Sequence, residues 1–119
     1  MIYCEIQLDG RVRFYEATDN RLMLRVSLET EAASLPAPPT IHDAHDFLRS
    51  NCHQFEIFDT FAHAENWAEN YHNFRAGEVR AELRRFALRR AAGQSVSRFR
   101  PSDLYLEPTE QDNDRSAVA

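Results

Sequence analysis

The chain reads as an α+β domain: an N-terminal three-stranded antiparallel meander, extended at most by one or two short strands, packed against about three helices. Two patterns predict this. Residues 2–29 alternate apolar and polar side chains with period two, and from residue 40 onward apolar residues recur at helical spacing. A third observation concerns punctuation: only three glycines occur, and each falls where a turn, break or helix end is expected. With 119 residues the chain suits one domain. We expect residues 1–107 to form it and 108–119 to be a flexible acidic tail.

The meander is read from three runs. Ile2, Cys4 and Ile6 alternate with Tyr3, Glu5 and Gln7; Val12 and Phe14 alternate with Arg13 and Tyr15; Leu22, Leu24, Val26 and Leu28 alternate with Met23, Arg25 and Ser27. A two-residue Asp9-Gly10 turn would set Ile6 against Arg13, mixing the faces. A three-residue loop, Leu8-Asp9-Gly10 with Gly10 left-handed, instead sets Cys4 against Phe14 inside and Tyr3 against Tyr15 outside. Thr18-Asp19-Asn20 is read as the second turn. Pro36, Pro38 and Pro39 mark an extended connection.

Thr40 then has the character of a helix N-cap, with Asp43 three residues on. Ile41, Ala44, Phe47 and Leu48 give a buried stripe ending near Asn51. Residues 54–58 read as a short strand. Asp59 or Thr60 caps a second helix with the stripe Phe61, Ala64, Trp67, Ala68, Tyr71 and Phe74. A third helix runs to about Ala92 with Val79, Leu83, Phe86 and Ala87 inward, stopped by Gly93. Residues 96–100 and 104–106 read as short edge strands separated by Pro101.

Composition removes several functions. No apolar run approaches the ~20 residues a bilayer requires, and no basic segment followed by an apolar run opens the chain. A cytoplasmic protein with reduced thiols is expected, because Cys4 and Cys52 are too few for a disulfide framework or a cysteine zinc site. Three dispersed glycines cannot build a phosphate cradle or dinucleotide loop, so no cofactor is expected. His42 and Asp46 lie four apart, a spacing that could offer two metal ligands. The same residues suit a helix start, however, and no third ligand is placed by the sequence, so no metal is expected. Cys52 and His53 are adjacent in sequence, which is not the spatial pairing that activates a thiolate. We expect no enzymatic activity.

Charge is segregated. All 14 basic residues are Arg, and the chain carries a net charge of −5. Residues 1–74 hold 5 Arg against 12 acids, residues 75–100 hold 8 Arg against 2, and residues 101–119 hold 1 Arg against 5. The basic band falls on the third helix, where Arg80, Arg84, Arg85 and Arg89 are candidate contacts for phosphate or for an acidic partner. A second candidate surface is the outer face of the meander, formed by Tyr3, Glu5, Arg13, Tyr15, Met23 and Arg25. It is rich in the residue types enriched at protein interfaces.

The expected function is a small non-enzymatic protein-binding module of a bacterium, phage or other mobile element. Inhibitor, immunity, anti-defence and adaptor roles fit that class, and homodimerisation through the tyrosine face is a variant of it. The alternative is a nucleic-acid-associated regulator using the Arg-rich helix. A metal-dependent hydrolase at His42 and Asp46 is the third reading.

Overall fold

A computed structural model describes residues 1–93. The strands expected at 96–100 and 104–106, and the tail from 108, lie outside the described residues. The elements run β1 (Ile2–Ile6), β2 (Val12–Glu16), α1 (Asp19–Ala32), α2 (Ile41–Ser50), β3 (Gln54–Phe58), α3 (Phe61–Glu69) and α4 (Ala76–Ala91). The class is α+β: a three-stranded antiparallel sheet in the order β2-β1-β3, packed with four helices.

The first hairpin closes in the register expected from its two faces. Cys4 pairs with Phe14, Tyr3 with Tyr15 and Glu5 with Arg13. The Gln7 amide donates to the Arg11 carbonyl at 2.8 Å, which leaves Leu8-Asp9-Gly10 as the loop. Gly10 sits at φ 95°, in the left-handed region that a side chain disfavours.

Residues 22–28 are helix, not strand, and this corrects the expected meander. The run Leu22, Leu24, Val26, Leu28 satisfies period two, but Leu22, Val26 and Thr30 are also spaced by four, and it is these that are buried. Leu24 is exposed. Leu, Met, Arg and Glu are good helix formers. Thr18, read as part of a turn, is instead an N-cap: its hydroxyl accepts from the Arg21 amide at 3.3 Å. The third strand is β3, which adds antiparallel to the opposite edge of β1, pairing Ile2 with Phe58 and Ile6 with Gln54. The N-terminal strand is therefore the centre of the sheet.

Helices cover both faces. Even-numbered residues of β1 and β2 (Ile2, Cys4, Ile6, Val12, Phe14) pack with Phe58 against Ala64 and Ala68 of α3 and Val79, Leu83 and Phe86 of α4. The odd-numbered Tyr3 and Tyr15 pack with Phe55 against Leu22 and Val26 of α1 and Ala44 and Leu48 of α2. The caps expected at Thr40 and Thr60 are present, their hydroxyls accepting from the Asp43 amide at 3.1 Å and the His63 amide at 3.2 Å. α3 ends sooner than its apolar stripe suggested. Asn70 caps it, Tyr71 still packs on the core, and Phe74 is 87% exposed in the connection to α4. Arg75 follows, with its guanidinium 4.7 Å from the Phe74 ring centre and Nη1 donating to the Gly10 carbonyl at 3.0 Å. No described helix is long and apolar enough to cross a membrane.

Two glycine substitutions separate these local constraints. A Cβ at Gly10 would lie 2.4 Å from Arg75 Nη1 and would impose a left-handed alanine, whereas nothing stands within 4 Å of one at Gly77. In urea unfolding, Gly10→Ala is expected to cost about 1–3 kcal/mol. Gly77→Ala, in the first turn of α4, is expected to stabilise by a few tenths to about 1 kcal/mol.

Candidate functional site

The tyrosine pair expected on the outer face of the sheet exists, but α1 and α2 seal it. The Tyr3 and Tyr15 rings stack at 5.3 Å, and Tyr3 stacks on Phe55 at 5.7 Å. Tyr3 is 0% and Tyr15 5% exposed. Glu5 and Arg25 are buried too, while Arg13 and Met23 are half-buried. Misreading α1 as a strand removed the layer that covers this face. The six residues thus form an inner polar layer of the protein and not an exposed docking surface.

That layer is organised by charge. Arg25, reaching down from α1, places Nη1 2.6 Å from one Glu5 carboxylate oxygen and Nη2 3.1 Å from the other. The Tyr15 hydroxyl donates to the Glu5 carboxylate and accepts from Arg25 Nη1 at 3.2 Å. Arg25 Nε donates to Glu29, one helical turn on, at 2.8 Å. Burial alone would raise the Glu5 carboxyl, but the Arg25 charge and hydrogen bonds, helped by Arg13 and Tyr15, hold it below its ordinary value. Burial likewise opposes the Arg25 charge, and Glu5 overrides it, keeping the guanidinium firmly protonated. Tyr15 is pushed well above its ordinary value by burial and by the neighbouring carboxylate. A buried pair of this kind survives because each charge meets hydrogen-bonding partners at close range.

Beside this network Tyr3, pushed up to about 12 by burial and Asp19, bonds His45 Nε2 at 3.3 Å through its hydroxyl. His45 itself is lowered, first by burial and then by the Arg49 charge, with Asp19 and Asp46 opposing.

A cavity of about 270 Å³ opens next to Arg25, lined among others by Gln7, Asp9, Glu29, Asn51 and Cys52. The Cys52 thiol is pushed up to about 12, chiefly by burial and then by Glu5, which keeps it protonated and weakly nucleophilic. Cys4 and Cys52 are free thiols.

The Arg-rich helix is α4, and its arginines divide by role. Arg80 is structural: Nη1 donates to the carbonyls of Ala68 and Tyr71 at 2.9 and 3.2 Å, closing the end of α3. Arg85 pairs with Glu82 one turn back. Arg90 bonds Glu16 at 3.2 Å and lies over the Phe61 ring. Arg84 and Arg89 are exposed and form no ion pair among the described residues. Arg89 as a residue is open to solvent, yet partial desolvation of its head group lowers it; Glu82 opposes this, while Arg13 and Arg85 add to it. Between these side chains stands Leu88, 71% exposed. Leu88 was not singled out from the sequence. Its signal was there, because the stripe Val79-Leu83-Phe86 leaves Leu88 on the opposite side.

His42 is exposed, and Asp46 is engaged by Arg49 at 3.0 Å. Among the described residues, no three His, Cys, Asp or Glu side chains gather as a metal would require. The cavity residues Glu29 and Asn51 were also not anticipated. The Arg25–Glu29 spacing of four is the sign of a helical ion pair, legible only once that segment is read as helix.

Removing one partner of the network strands the other, so Arg25→Ala is expected to cost about 3–5 kcal/mol and Tyr15→Phe about 1–2 kcal/mol in urea unfolding. Glu5 is lowered on folding, so its stabilisation is complete above the ordinary carboxyl value. It is lost as pH falls through the lower folded value. Unfolding midpoints measured from pH 7 down to pH 3 should therefore fall more steeply for the native chain than for Glu5→Gln. His45 acts in the same direction at higher pH. Its folded value is depressed, so stability is complete above the ordinary imidazole value near 6.5 and declines below it, a component that His45→Gln should abolish.

Comparison of the chain with protein-family models, with curated proteins and with solved structures finds no match. The functional reading therefore rests on geometry and charge.

Proposed function

We propose that this protein is a non-enzymatic protein-binding module that docks an acidic segment of another protein on the outer face of α4. The observation that carries the reading is Leu88, exposed between Arg84, Arg85 and Arg89, of which Arg84 and Arg89 have no ion-pair partner among the described residues. A leucine held open to water gains little from burial at that position. With Arg84 and Arg85 one helical turn before it, it suits a partner that offers carboxylates beside an apolar side chain. Inhibitor, immunity, anti-defence and adaptor proteins work through contacts of this type.

The most strongly perturbed ionisable groups support a binding reading over a catalytic one. Glu5, Arg25 and Tyr15 are locked to one another, and the Cys52 thiol stays protonated. None stands ready to exchange a proton with a substrate.

The second reading, a nucleic-acid contact through the same arginines, is favoured by Arg84 and Arg89, which are exposed and form no ion pair among the described residues. Against it stand the net charge of −5 and the excess of acids over residues 1–74. Capture on the immobilised chain distinguishes the two. A stoichiometric protein that resists nuclease and is lost with Arg84→Glu/Arg89→Glu, while the melting temperature is unchanged, is the expected result. Leu88→Ala should weaken that capture without altering its salt dependence. Nuclease-sensitive material, retained with a log–log salt slope of about −0.9 per phosphate contact, would overturn the protein reading in favour of the second.

A further inference from the structure

The cavity beside Arg25 has an electrostatic character that the fold does not require. Four segments meet there: Glu5 near the end of β1, the β1–β2 turn with Gln7, Leu8, Asp9 and Arg11, the last turns of α1 with Arg25 and Glu29, and the end of α2 with Leu48, Asn51 and Cys52. Among the described residues three carboxylates (Glu5, Asp9, Glu29) line it against two guanidinium groups (Arg11, Arg25), an excess of one negative charge. Asp9 and Arg11 satisfy each other at 3.1 Å. The excess therefore falls on Arg25, one guanidinium that serves both Glu5 and Glu29.

Two further features act in the same direction. Glu29 lies in the last turn of α1, which carries no base, and Asn51 is the C-cap of α2. The cavity thus lies close to the C-terminal turns of both helices, where the helix dipole favours a cation. The base in the last turn of α2, Arg49, bonds Asp46 and lies 5.8 Å from the Phe55 ring centre, and it does not line the cavity. Arg13 acts on Glu5 through space but likewise lies outside the lining. Only one Glu29 oxygen, Oε2, is used by Arg25, and the side chain keeps 15% of its surface exposed. Leu8 and Leu48 supply apolar wall. At about 270 Å³ the space is just below the usual range for small-ligand pockets, roughly 300–1,000 Å³.

We propose that this cavity binds a primary ammonium or guanidinium group carried on a short aliphatic stem, with the head group against the second oxygen of Glu29 and the stem along Leu8 and Leu48. The bound group supplies the positive charge that the lining lacks. It comes either from a free alkylamine or from a lysine or arginine side chain of another protein, and both present the same chemistry. The inference stands apart from the α4 interface, since the cavity lies among α1, α2 and the β1–β2 turn.

The test is a titration of the full-length protein with n-butylguanidine and n-butylamine at fixed ionic strength, followed by amide NMR. Saturable shifts of Gln7, Asn51 and Cys52 in the millimolar range or tighter are expected. Glu29→Gln, which leaves the Glu5–Arg25 pair intact, should weaken binding about tenfold or more with the spectrum otherwise preserved. Should that variant fail to fold, n-pentanol as the neutral isostere gives the same discrimination. Equal binding of the alcohol, shifts reproduced by sodium chloride alone, no saturable shift in the native chain, or unchanged affinity in a folded Glu29→Gln variant would each overturn the proposal. A glycine tetrapeptide bearing one lysine identifies the source. Tighter binding than butylamine supports a partner's side chain, and weaker binding supports a free amine.

Discussion

One ionic contact sets the terms for the rest of this structure: the Arg25 guanidinium on the Glu5 carboxylate at the centre of the sheet. Glu5 sits on β1, which has strands on both sides and helices above and below, so it is almost wholly withdrawn from bulk water. A carboxylate there is tolerable only if a cation and hydrogen-bond donors arrive from the covering layer. Arg25 does this from α1, Tyr15 assists from β2, and Glu29 holds Arg25 from the far side. The docking of α1 is thereby fixed in position as well as in depth. Hydrophobic contacts at Leu22 and Val26 would tolerate some sliding, whereas a two-oxygen, two-nitrogen contact does not.

The two faces of the sheet divide the work. The face toward α3 and α4 is an apolar core of conventional kind, with Phe14, Phe86, Trp67 and Phe58 in aromatic contact. The face toward α1 and α2 is mixed, tyrosines interleaved with ions, and the cavity opens from that side. The exposed Arg84 and Arg89 belong to α4, a helix of the apolar side. The docking face proposed on α4 and the cavity therefore stand on opposite layers, separated by the thickness of the sheet.

Much of this was legible in the residues. The hairpin register followed from keeping like faces together, and the Tyr3–Tyr15 and Cys4–Phe14 pairs are as that argument required. The threonine caps at 40 and 60 and the short strand at 54–58 followed from local chemistry. What failed was the segment 22–28. Its apolar residues satisfy both a period of two and a spacing of four, and only the burial of Arg25 and Thr30, which depends on Glu5 and on the covering geometry, decides between them. That single ambiguity moved the tyrosine face from inside to outside. It also concealed the Arg25–Glu29 turn and the cavity. The arginine helix, by contrast, was readable because charge segregation is a property of the linear sequence. The division of its arginines into Arg80, spent on carbonyls, and Arg84, left open, depends on where α3 ends.

The placement of β1 between its two partners has a consequence for biogenesis. β1 precedes both of its partners along the chain and is fully paired only once the later one is made, since β2 follows within ten residues while β3 is some fifty residues later. At typical synthesis rates of about 5–20 residues per second, one flank of the nascent hairpin stays open for several seconds. During that interval β1, open on one flank, carries a glutamate, Glu5, next to its last residue, and a charged residue on an open strand is a recognised deterrent to mispairing between chains. The carboxylate that anchors α1 in the folded chain is thus of the kind that disfavours such mispairing while that flank is open.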